Sequence, residues 1–116
     1  MEHANILIEE KRTEGDRFLL SMLRTDQLKG LLKFEQALDR NYGYVLVSFL
    51  NEAVDAAYAI RLIEAMKYMK QKDRQYITLA ELQLGKVQAI HLPRITVEGE
   101  RGYDLKGVAD IGNISK

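Results

Sequence analysis

The chain of 116 residues contains no cysteine and a single proline. Disulfides, thiolate nucleophiles and cysteine-based zinc or iron–sulfur sites are thereby excluded. Neither charge is in excess: 17 Lys and Arg balance 17 Asp and Glu. No long-range field is therefore expected to draw the whole molecule onto nucleic acid or an anionic membrane. No 18-residue run is free of charge, so no membrane span is expected. The N-terminal MEHANILIEEKR has acids where a secretory leader needs bases, and its apolar stretch is too short for one. A cytoplasmic location is the resulting expectation. The phosphate-loop and dinucleotide glycine signatures, the nucleophile-elbow serine and the HExxH metal motif are all missing. No cofactor and no metal are expected.

What is present is an ordinary globular composition, 47 % hydrophobic and 29 % charged, without the signature of disorder. The length suits one domain, 1–116, with a core of its own. Residues 1–15 read as an arm or short strand, because EEKRTEGDR comes after Ile6, Leu7 and Ile8 without one apolar side chain. Asp16 and Thr25 are candidate helix N-caps. The spacing of Phe18, Leu19, Met22, Leu23, Leu28, Leu31 and Leu32 predicts helix over 16–41, either one helix or two bent near Thr25, closed by Asn41 or Gly43.

The central stretch dominates the sequence. From Tyr44 to Lys70 the polar positions fall mostly three or four apart and leave a narrow stripe. The remainder, including Phe49, Val54, Tyr58, Leu62, Met66 and Met69, predicts a long helix with three-quarters of its surface apolar. The alternative is a strand at 44–50, rich in β-branched and aromatic residues, with helix beginning at Asn51. Residues 79–92 fit either a short helix capped by Thr78 or two strands. Alternation around Ile95–Val97 and Tyr103–Leu105 predicts a hairpin, and 107–116 reads as a flexible tail. The expected fold is α+β but mainly α: a helical hairpin around a long apolar central helix, with a small C-terminal antiparallel β element.

Candidate chemistry is sparse. His3 lies in a terminus. His91, between Ile90 and Leu92, has no nearby carboxylate, serine or second histidine in the sequence, so an acid–base enzyme is the least favoured class. Glu52 and Asp55 read as part of a solvated stripe. One region is asymmetric in charge: between Lys67 and Arg94 six bases face two acids, a net of +4. Lys67, Lys70, Lys72, Arg74 and Arg94, interleaved with Tyr68 and Tyr76, are candidates for contact with nucleic acid or another anionic partner. Basic residues also favour helix C-termini for purely local reasons. A helix-turn-helix at ITLAEL is disfavoured, because Pro93 and a strand pattern stand where a recognition helix should come next.

The function expected from these features is a small non-enzymatic oligomeric interaction or regulatory protein, of the kind bacteria and their mobile elements carry. It would pair with itself, as a homodimer that hides the apolar helix. Nucleic-acid binding through 67–94 is the alternative.

Overall fold

A computed structural model of the chain describes residues 4–97 and 100–103. Strand β1 (Asn5–Thr13) leads to a short β2 (Arg17–Leu19), a 3-10 turn (Leu20–Met22) and helix α1 (Thr25–Ala37). Next come β3 (Asn41–Leu50), β4 (Asp55–Arg61) and α2 (Leu62–Gln71). After them stand β5 (Tyr76–Thr78), α3 (Leu79–Gln83), β6 (Ala89–Leu92), β7 (Arg94–Val97) and β8 (Glu100–Tyr103). A four-stranded mixed sheet in the order β1-β3-β4-β6 forms the frame, and β2–β5 and β7–β8 make two-stranded sheets beside it. Strands β1 and β3 are parallel, so α1 is the crossover that parallel pairing requires. The β3–β4 and β4–β6 pairings are antiparallel.

This arrangement corrects the expected mainly helical fold. Among the described residues there is no long apolar helix: residues 44–70 divide into the end of β3, all of β4 and most of α2. The apolar signal was genuine, but it comes from strands buried on both faces. On one face Val45, Val47, Phe49, Tyr58 and Ile60 pack against the helices. On the other, Leu46, Ala57, Ala59 and Leu92 form a second cluster with Ile6, Ile8, Tyr42 and Tyr44 against it. A strand covered on both sides has no polar stripe at period two, and periodicity cannot separate it from a buried helix. The alanines of β4 (DAAYAIR), good helix formers in isolation, deepen the ambiguity.

Asn51 is not a helix N-cap. Its Oδ1 accepts from the N–H groups of Ala53 and Val54 at 2.8 and 2.9 Å, and its own N–H donates to the Val54 carbonyl at 2.9 Å. This is capping chemistry, but it closes the β3–β4 turn.

The N-terminal half differs too. Residues 16–41 are not continuous helix. Phe18 sits in β2 with its side chain fully buried, and only 25–37 is α-helical. Asp16 precedes β2, and the N-cap of α1 is Arg24, whose N–H donates to Gln27 Oε1 at 3.0 Å. The polar run EEKRT belongs to β1, an edge strand where charge is tolerated and discourages edge-to-edge pairing. Asn41 closes α1 from inside β3: its Nδ2 donates to the Phe34 carbonyl at 2.8 Å. Its Oδ1 accepts from Asn5 Nδ2 at 2.9 Å, which pins the starts of β1 and β3 to the helix end.

Other expectations are met in part. Thr78 caps α3, though 79–92 proves to contain both a helix and a strand. A hairpin is present, but its second strand is β8 rather than the expected Tyr103–Leu105: it pairs Arg94 with Tyr103 through Val97 with Glu100, and residues 104 and 105 lie outside the described ones. The expected tail at 107–116 lies outside the described residues.

Candidate functional site: a groove between two helices

Helix α2 has two faces. Leu62, Ala65 and Met69 are buried toward the core. Ile63, Met66, Lys67 and Lys70, at spacings of three and four, share another side. This second side, with Leu32 and Gln36 of α1, walls a groove of about 660 Å³. Leu20 and Met69 complete its apolar lining, and Asp73, Arg74 and Gln75 close the end where α2 stops. The size falls within the range of binding clefts. Its lining is apolar inside and basic at the rim.

Four of the five basic candidates therefore lie on or near one structure, but with different freedom. Lys67 and Lys70 are exposed on the groove wall. Lys67 approaches Glu64 at 3.7 Å, one turn away, a contact worth little at the surface. Lys72 is exposed beside the Tyr68 ring, 5.7 Å from its centroid. Arg74 is committed internally. It donates to Glu81 Oε2, which also accepts from the Tyr68 hydroxyl. Its guanidinium lies 4.6 Å from the centroid of Tyr76, whose ring also carries Arg17 at 4.5 Å. These contacts hold α2, β5, α3 and β2 together, so Arg74 shapes the groove more than it offers charge. Arg94 lies on β7.

Glu81 is the centre of that network. Its Oε1 accepts from the Thr78 N–H and hydroxyl, both at 3.0 Å, while its N–H donates to Thr78 Oγ1 at 3.1 Å. This is a complete capping box. Burial works against the carboxylate charge. Hydrogen bonds from Tyr68, Thr78 and Arg74 outweigh it and hold Glu81 at about 2, below its ordinary 4.5. A depressed folded value means stability that is present above pH 4.5 and lost as pH falls toward 2. Acid unfolding monitored by circular dichroism should show this loss. Glu81→Gln should be less stable at pH 7 and should have a flatter profile between pH 5 and 2. A profile of unchanged slope would remove Glu81 from the acid response.

The six apolar candidates do not form one helix face. Phe49 belongs to β3, Val54 to the turn, Tyr58 to β4, and Leu62, Met66 and Met69 to α2. Phe49, Tyr58, Leu62 and Met69 are covered within the chain. The apolar surface that pointed to a homodimer is thus largely occupied by the chain's own core. Of the six, only Met66 and Met69 line the groove, and Met69 is buried at its base.

His91 is exposed on β6, its ring 5.2 Å from that of Tyr58. Glu52 lies in a turn and Asp55 begins β4, so they share no helix stripe. Among the described residues no group of three or more His, Asp or Glu could hold a metal ion. No described helix is long and apolar enough to cross a membrane.

No protein-family model matches this chain, and a search of curated proteins gives no match. The groove, then, is the feature from which function must be argued. The sequence pointed to Lys67 and Lys70 through their charge. It carried no signal for Leu20, Leu32, Gln36 or Gln75, whose nearness depends on how the crossover helix packs beside α2.

Proposed function

We propose that this is a non-enzymatic interaction protein whose groove between α1 and α2 receives an amphipathic segment of a partner, apolar where it enters and acidic along the flank facing Lys67 and Lys70. The observation that carries this reading is an apolar groove rimmed by exposed lysines. Helix-in-groove recognition uses apolar anchors at i, i+3, i+4 and i+7. Met66 and Met69 give the wall an unbranched, adaptable surface. Charge at the rim selects partners and speeds encounter more than it adds affinity. Arg74, already neutralised by Glu81, counts little toward an anionic duplex, which weakens the nucleic-acid alternative.

The test uses two labelled helix-forming peptides that share a leucine stripe, one flanked by glutamates and one by lysines. Fluorescence anisotropy should show binding of the glutamate peptide, weakening with salt. Lys67→Glu/Lys70→Glu should weaken the glutamate peptide by about thirtyfold and favour the lysine peptide, since each rim charge contributes on the order of 0.5 kcal/mol and changes sign, about 2 kcal/mol for the pair. Equal binding of both peptides would remove the proposed selectivity. Tighter, lysine-dependent binding of a mixed-sequence oligonucleotide would put the nucleic-acid function in its place.

A further inference from the structure

Two helices of this chain end in the same backbone motif with different residues at its critical position. At the end of α2 the Arg74 N–H donates to the Met69 carbonyl at 3.0 Å and the Asp73 N–H to the Lys70 carbonyl at 3.2 Å. At the end of α3 the Lys86 N–H donates to the Glu81 carbonyl at 2.9 Å and the Gly85 N–H to the Leu82 carbonyl at 3.2 Å. Both are Schellman closures, which place one residue in the left-handed region. Gly85 occupies it at φ 71° and Asp73 at φ 54°. Asp73 is the one non-glycine residue with positive φ among the described residues.

Aspartate is a poor choice there on two counts. A side chain raises the energy of the left-handed conformation. A negative charge also opposes the negative end of the helix dipole. No local contact compensates: the Asp73 carboxylate is exposed and makes no hydrogen bond or ion pair with the described residues. Backbone strain that local structure does not explain tends to mark a position kept for function. Asp73 closes one end of the groove and is the sole acid among its described lining residues.

We infer that Asp73 is a specificity-determining position of the groove, where its carboxylate receives a lysine or arginine side chain of the docked segment. This rests on the groove being a peptide site. The occupant is then bipolar, acidic along the Lys67 and Lys70 wall and cationic at the end where α2 stops. Glycine at this position would give a better helix end and no recognition.

Thermal unfolding and peptide binding of Asp73→Gly and Asp73→Asn test the inference together. The probes are the glutamate-flanked peptide with a single arginine near its N-terminal or its C-terminal end, and the same peptides with glutamine in that place. Asp73→Gly should raise Tm by about 3–5 °C. On the wild-type protein one of the two arginine probes should bind about threefold tighter than its glutamine counterpart. That advantage should vanish in both variants, the Asn variant separating loss of charge from relief of the backbone. An arginine advantage that survives in Asp73→Gly, or a lower Tm for that variant, overturns the inference while the groove stands. Failure of the wild-type protein to bind any of the glutamate-flanked probes removes the groove as a peptide site, and the role of Asp73 with it.

Discussion

Replacing Phe49 by alanine should lower the stability of the fold by about 3–5 kcal/mol, the usual cost of deleting a buried aromatic ring. Phe49 is fully buried on β3, directly opposite Thr13 of β1 and Ala56 of β4. Its ring belongs to the cluster that joins the sheet to the helices. Small neighbours such as Ala56 cannot swing in to fill the space, so the cavity would persist. Single domains are stable by only about 5–15 kcal/mol, so the variant should unfold at markedly lower urea concentration. Leu50, the next residue, lies on the opposite face of the strand and is 39 % exposed. Its replacement by alanine should cost less than about 1 kcal/mol. Comparable losses at both positions would contradict the alternation that assigns this stretch to a strand.

Gly43→Val should be the second most disruptive change. Gly43 lies on β3 under α1, where a Cβ would sit 3.1 Å from the Leu31 carbonyl oxygen and 3.4 Å from Leu31 Cβ and Cδ2. The obstacle on one side is helix backbone, which cannot rotate away as a side chain does. Valine brings two further methyl groups to the same spot, so α1 must lift from the sheet at a cost of about 2–3 kcal/mol. The Gly43 N–H also donates to Glu35 Oε1 at 3.2 Å, the oxygen that accepts from Arg61 Nε at 2.8 Å. Lifting α1 would strain this link between helix and sheet. It would also displace Leu32 and Gln36, so binding of the glutamate-flanked peptide should weaken along with stability. Chemical denaturation gives the first effect and anisotropy the second. Wild-type stability in Gly43→Val would show that the helix–sheet spacing is softer than this close approach implies.

These two sites explain why part of the fold was legible in the sequence and part was not. Phe49 was recognisable as core from hydrophobicity alone, whatever element carried it. Gly43 read as a helix terminator, because a glycine after a helical pattern commonly has that role. Here its use is close approach of a strand to a crossover helix, which no local pattern announces. Thr78 was readable as a cap, because the residues that complete a capping box lie within one turn. Asn51 was readable as a residue that satisfies backbone N–H groups, but the same side-chain chemistry serves a helix start and a hairpin turn.

By itself the sequence determined what depends on composition and short-range chemistry. It ruled out cysteine chemistry, offered Thr78 as a cap should 79–92 be helical, indicated a hairpin around 95–105, placed the basic cluster at Lys67–Arg74, and pointed to core side chains such as Phe18, Leu31, Phe49 and Leu62. Tertiary structure alone decided that Tyr44–Lys70 is a strand hairpin running into a helix. A segment covered on both faces loses the periodicity that distinguishes one element from the other, and only its neighbours restore it. Tertiary structure likewise separated Lys67 and Lys70, which face a groove, from Arg74, which Glu81 and two tyrosines retain. It also set Asp73 at the groove's end in a conformation that glycine would hold more easily, because that depends on how α2 terminates and on what packs beside it.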